Sequence, residues 1–210
     1  MDSNSPLLDP ALEIAEIAVD SLIENDVVRE IPFLSTAVAV AKASKSIRDR
    51  LFIEKLSKFI LDIKSVNQEA RQKIYEKIAS NPEDAQKVGR TTLTIIERAA
   101  DLEKAGLIAV LFIAYGHGFL TSAEFRRICE AVDRVFIGDL VEFLETVEQE
   151  TETLLVSLLP SGFTMVTSAR ITYGGTGNIN YSITKLGNKF RNAYFNGMKL
   201  MQTNEGEILD

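Results

Sequence analysis

Near its C-terminal end the chain reads Phe163-Thr-Met-Val-Thr-Ser-Ala-Arg-Ile-Thr-Tyr173, then Gly174-Gly-Thr-Gly-Asn178, then Ile179-Asn-Tyr-Ser-Ile-Thr-Lys-Leu-Gly187. Two β-branched, aromatic-rich runs around a glycine-dense turn predict a β-hairpin. The residues before it carry helical periodicity instead. The fold class that follows is mainly α, a multi-helix bundle that ends in a unit containing one β-hairpin.

The helices announce themselves by their ends. Asp9-Pro10 supplies a cap and a first-turn proline, and Leu12, Ile14, Ala15, Ala18, Val19, Leu22 and Ile23 recur at helical spacing as far as Asn25. Pro32 opens a long stretch, Phe33 to Ile63, without proline or glycine, which predicts one long helix bent around residues 43–46. Ser65 with Gln68 reads as a capping box for a short helix, and Asn81-Pro82-Glu83-Asp84 starts the next. Leu102 to Tyr115 is apolar on nearly all sides after Lys104, the pattern of a helix at the centre of a bundle, and Gly116-His-Gly118 ends it. Thr121-Ser-Ala-Glu124 is a capping box, with Leu120 and Phe125 placed as its hydrophobic staple. Helices at 139–147, 151–159 and 185–201 complete the expected set. The expected division is a helical bundle over residues 1–118, a second region over 119–204 packed on it, and an acidic tail over 205–210.

Charge separates along the chain. The net charge is −7 and the isoelectric point about 4.9. Residues 1–159 hold 27 acids and 18 bases, whereas residues 160–204 hold no acid and five bases, Arg170, Lys185, Lys189, Arg191 and Lys199. The whole molecule therefore repels phosphate backbones and anionic lipid, while the hairpin region is a basic island. One cysteine, Cys129, allows no internal disulfide and fits a reducing compartment. The longest uncharged apolar runs, Ile31 to Ala41 and Ala105 to Tyr115, are short of the roughly 20 residues that span a bilayer. With no basic leader at Met1-Asp-Ser-Asn-Ser-Pro6, a cytoplasmic location with no stable membrane span is expected.

The order of three helices, Leu154-Leu-Val-Ser-Leu-Leu-Pro-Ser-Gly-Phe163, a hairpin, and Tyr181-Ser-Ile-Thr-Lys-Leu-Gly187 resembles bacterial winged helix-turn-helix domains over about Thr121 to Phe195. The resemblance implies a winged-helix-like unit whose third helix, Gln149 to Leu159, occupies the place of a DNA-reading helix. Here that place carries Glu148, Glu150 and Glu152 and no base, so duplex recognition through it is disfavoured. Upstream, Ile31-Pro-Phe33, Ser46-Ile-Arg-Asp-Arg-Leu-Phe52 and Lys55-Leu-Ser-Lys-Phe59 are similar to uncharacterised helical proteins of bacteria and their phages, some linked to phage defence. That similarity implies a setting and no mechanism.

Chemistry-bearing constellations are few. His117, between two glycines, reads either as a pH-sensitive ligand contact or as a loop residue bonded to a helix end. A lone His and a lone Cys assemble no zinc site in one chain, and Cys129 lies on an apolar helix stripe where a core thiol is expected. Gly174-Gly-Thr-Gly177 leads into a strand, so it reads as a hairpin turn and not as a phosphate cradle. These patterns predict no catalytic residues, no metal and no cofactor. The expected function is a non-catalytic binding or regulatory protein, joined to a protein partner or to itself as a homodimer. Glu145, Glu148, Glu150 and Glu152 form its acidic surface, and Arg170, Lys185, Lys189 and Arg191 its basic one. Two alternatives stand beside it, nucleic-acid binding through the basic wing and a membrane-active effector that inserts the apolar segments 31–43 and 105–115.

Overall fold

The computed structural model describes Leu22 and residues 24–43, 47–147, 149–170 and 178–202. Among these, ten α-helices surround or extend from one helix that is apolar on every side. In chain order they are α1 (Asp26–Glu30), α2 (Pro32–Ala43), α3 (Ile47–Ser65), α4 (Gln68–Ser80), α5 (Pro82–Arg98), α6 (Leu102–Gly116), α7 (Ser122–Asp133), α8 (Ile137–Glu145) and α9 (Glu152–Ser157). A 3-10 turn (Leu159–Ser161) then leads to the antiparallel strands β1 (Thr164–Arg170) and β2 (Asn178–Ile183), and α10 (Lys185–Gln202) ends the described chain. A mainly α fold with one hairpin near the C-terminus follows from the sequence pattern and is what the chain adopts.

Helix α6 explains the arrangement. Every residue from Lys104 to Gly116 is buried, so apolar area must be covered on all sides, and α3, α4, α5, α7 and α10 pack around it. Phe112 sits at the centre, with ring centroids of Phe59 at 5.5 Å, Phe33 and Phe125 at 5.9 Å and Tyr115 at 6.1 Å. A second cluster of Phe143, Phe163 and Phe190 stacks nearly parallel beneath the hairpin, the last two 4.7 Å apart. Both clusters belong to one continuous core that runs from Leu22 to Ala193 through the Gly116–Leu120 stretch.

Caps set the boundaries. Thr121 and Glu124 form the expected capping box of α7. Asn81 accepts from the Asp84 amide at 3.1 Å to open α5. For α4 the expected Ser65 box is replaced by Asn67, which accepts from the Ala70 amide at 2.9 Å. Ser65 instead closes α3, its hydroxyl donating back to the Asp62 carbonyl at 2.7 Å. The long helix predicted from Phe33 to Ile63 is described as two stretches, α2 and α3, and residues 44–46, where its bend was expected, lie outside the described set. So do residues 9–21 of the predicted first helix and the glycine turn 174–177, while Asn25, its expected end, caps α1.

The Tyr181-to-Gly187 motif acquires a physical explanation. Thr184 caps α10, its hydroxyl accepting from the Gly187 amide at 3.2 Å and donating to the Gly162 carbonyl at 2.7 Å. Gly187 lies so close to the Phe163 carbonyl that a Cβ would collide with it. The same device fixes α10 on the bundle, because a Cβ at Gly197 would meet the backbone carbonyl of Val110 in α6. Since backbone cannot rotate aside as a side chain can, Gly197→Ala is expected to cost about 1–3 kcal/mol, measured by urea unfolding.

Candidate binding surfaces

One pair of the opposite charges predicted to face separate partners, Glu150 and Arg191, meets inside the chain. The helix expected from Thr151 begins there, with Thr151 accepting from the Leu154 amide at 3.2 Å as its cap, and it spans six residues, shorter at its start than the Gln149–Leu159 third helix that the winged-helix resemblance implies. Gln149 and Glu150 consequently lie in the connection from α8, and Glu152 alone of the predicted acidic set belongs to α9. From that connection Glu150 turns inward and receives the Arg191 guanidinium at 2.6 Å. Arg191, predicted as a surface base, is only 6% exposed. Its Nε and Nη2 also donate to the Phe143 carbonyl at 2.9 and 2.6 Å, and its Cζ lies 3.8 Å from the Phe143 ring centroid. That carbonyl is in the last turn of α8, where backbone acceptors lack helical partners, so Arg191 caps α8 and anchors α10 to it.

The remaining predicted residues are spread out. Lys189 lies 3.3 Å from Glu124 in α7. Glu145 is exposed at the end of α8, Glu152 is exposed in the first turn of α9, and Lys185 is exposed in the first turn of α10. Arg170 ends β1, and Glu148 lies outside the described residues. The predicted acidic and basic patches are therefore partly dismantled, with Glu150 and Arg191 joined as structural partners.

The hairpin offers a surface that charge counting missed. Val166 pairs with Tyr181 and Ser168 with Asn180, leaving Thr167 as a bulge. Side chains alternate along a strand, and a one-residue bulge shifts that alternation. The shift keeps Val166 and Ala169 on the same face as Ile179, Tyr181 and Ile183, while Met165, Ser168, Asn180 and Ser182 share the other. At its base the first face joins the core, where Thr164 is buried and Ile183 packs against the cluster. Towards the tip it is open, with Val166 48% and Ile179 43% exposed. An apolar face thus runs outward from the core onto a sheet that has two strands among the described residues.

A second surface lies on the opposite flank of the sequence, between α2 and α5. A groove of about 670 Å³ is lined by Pro32, Phe33, Ile78, Pro82, Ala85 and Leu93, with Glu30 and Arg90 on its rim. Phe33 lies over Gly89, where a Cβ would strike its ring, and Val40 lies beside Leu93 and Thr94 further along. The first half of the predicted long helix is nearly all apolar in sequence, a pattern that predicts burial, but Pro32, Ser35, Thr36, Ala39 and Val40 are exposed.

No family model, no curated protein and no solved structure matches the chain. The physical arrangement alone bears on function.

The two chemistry-bearing singletons are embedded in the fold. Cys129 is fully buried, and desolvation, with Glu130 nearby, pushes its thiol well above the usual range. His117 Nε2 donates to the Ala70 carbonyl of α4 at 3.1 Å. Burial lowers its pKa more than that bond raises it, so the imidazole is held neutral and its contribution to stability falls as pH drops through the range where a free histidine gains its proton. Among the described residues no three His, Cys, Asp or Glu side chains are grouped to hold a metal ion, and no helix is long and apolar enough to cross a membrane.

Proposed function

We propose that this chain is a non-catalytic binding or regulatory protein that engages another protein through its hairpin. The observation that carries this reading is the apolar face of Val166, Ala169, Ile179 and Tyr181, continuous with the core and open at its outer end. A two-stranded hairpin in water is marginal, and stable sheets have a third strand or a packed face. Exposed apolar patches of this kind are where partners bind. A partner that covers the face completes both requirements at once. Electrostatics favours a protein over a polyanion, because Arg191 and Lys189 are already paired within the chain and α9 begins with Glu152.

Replacing Val166 and Ile179 together by lysine tests this reading. Both positions are exposed, so helix content and the unfolding midpoint are expected to stay near wild type. Capture of the partner from extracts of the source cell, quantified against the wild-type protein, is expected to weaken at least about tenfold, as for other buried interface anchors. The same substitutions add two positive charges, which would strengthen rather than weaken any oligonucleotide contact. Undiminished partner capture, or salt-sensitive oligonucleotide binding that Lys185→Ala weakens, would overturn the proposal.

A further inference from the structure

We propose that a second copy of this chain covers the groove between α2 and α5, giving a symmetric dimer in which α2 of each copy lies along the groove of the other. Three observations lead there, and none depends on the hairpin.

The outward side of α2 is made of Pro32, Ser35, Thr36, Ala39 and Val40, all exposed and none charged. The hydroxyls of Ser35 and Thr36 donate back to the Pro32 carbonyl at 2.8 and 3.1 Å, so their hydrogen bonds are made within the helix. Over residues 32–40 what α2 presents to solvent is mainly methyl and methylene surface, with Val40 65% exposed. A surface helix of a soluble bundle ordinarily carries charge on that side. Small side chains there also let a second helix approach to about 8 Å, the short end of helix packing distances.

The groove beside this face has an unpartnered charge of each sign. Glu30 lies at its start, and Arg90 lies further along, between the stretch lined by Phe33 and the stretch lined by Val40. Both are exposed, and among the described residues neither makes a hydrogen bond or an ion pair. A two-fold axis perpendicular to α2 reverses the second copy along the groove. Its Glu30 is then carried towards the first copy's Arg90, and its Arg90 towards the first copy's Glu30. One contact satisfies both charges twice, the self-complementarity an isologous interface requires.

That pattern also discriminates against the chain's own N-terminal residues as occupant. Residues 1–21 contain five acids and no base. They would suit Arg90 but would set like charge against Glu30, whereas a second copy suits both.

Sedimentation of the full-length chain tests the proposal. A dimer is expected, and Val40→Glu or Thr36→Arg is expected to weaken it more than about tenfold with the far-UV spectrum unchanged, because each would bury an unpaired charge in the contact. Glu30→Arg and Arg90→Glu are each expected to weaken dimerisation, and the double exchange to restore it. Thr36→Cys offers an independent measurement. Cys129 is buried, so oxidation is expected to join two copies through the new thiol alone. A wild-type chain that stays monomeric at the highest soluble concentration overturns the inference. So does a dimer that survives Val40→Glu, a double exchange no better than the single ones, or a Thr36→Cys chain that gives no covalent dimer.

Discussion

Arg191→Met is expected to destabilise the protein by about 3–5 kcal/mol, far more than the loss of a surface base. The substitution fits the space sterically, yet it strips the Phe143 carbonyl of two donors and leaves the Glu150 carboxylate without its guanidinium. It also removes a cation from the face of the Phe143 ring. Exposed ion pairs contribute about 0–1 kcal/mol, so urea unfolding separates the two cases cleanly. Glu150→Gln should be milder, since the amide oxygen still accepts from the guanidinium. The Arg191→Met, Glu150→Leu double variant should cost less than the sum of its parts, because the second change removes the carboxylate that the first leaves unpaired. Equal and small effects from all of these would mean that the pair is a surface contact, and with it the account of how α10 is held to α8.

The same pair marks where sequence reasoning stops. The helices were legible because their signals are local. The all-round apolar run of α6, the Thr121 capping box and Asn81-Pro82 each lie within a few residues of what they specify. Residues Glu150 and Arg191 are separated by 41 positions, and a count of charges along the chain assigns them to opposite surfaces. One signal did exist. Arg191 falls on the stripe of α10 that includes Gly187, Phe190 and Tyr194, and an arginine on an apolar stripe points to a buried partner. Glu150 became available to it because Thr151 caps α9, which leaves Glu150 in the connection before the helix. The hairpin face was hidden for a different reason. The Thr167 bulge breaks strict alternation, so Val166 and Ala169 do not look like neighbours on one face until the register with β2 is known. The groove was hidden because a nearly all-apolar helix reads the same whether bundle or partner covers it.

Phe112→Ala is expected to cost about 3–5 kcal/mol, the range for deleting a fully buried ring from a close-packed core. In a chain of 210 residues that corresponds to a fall in Tm of roughly 10 °C. The position is unforgiving because α6 is fixed on all sides. Four aromatic rings lie within about 6 Å of it from α2, α3, α6 and α7, so no single element can move inward to fill the space without opening another contact. Phe136, 70% exposed before α8, is the matched control, and Phe136→Ala is expected to change stability by less than about 0.5 kcal/mol. The shape of the transition carries more than its midpoint. Since one core joins the bundle to the residues beneath the hairpin, Phe112→Ala should shift the whole unfolding curve, as followed both by far-UV circular dichroism and by tyrosine fluorescence. A variant in which the two probes separate, with α10 and the hairpin melting apart from the bundle, would require the Val110–Gly197 contact to be weaker than its close approach implies.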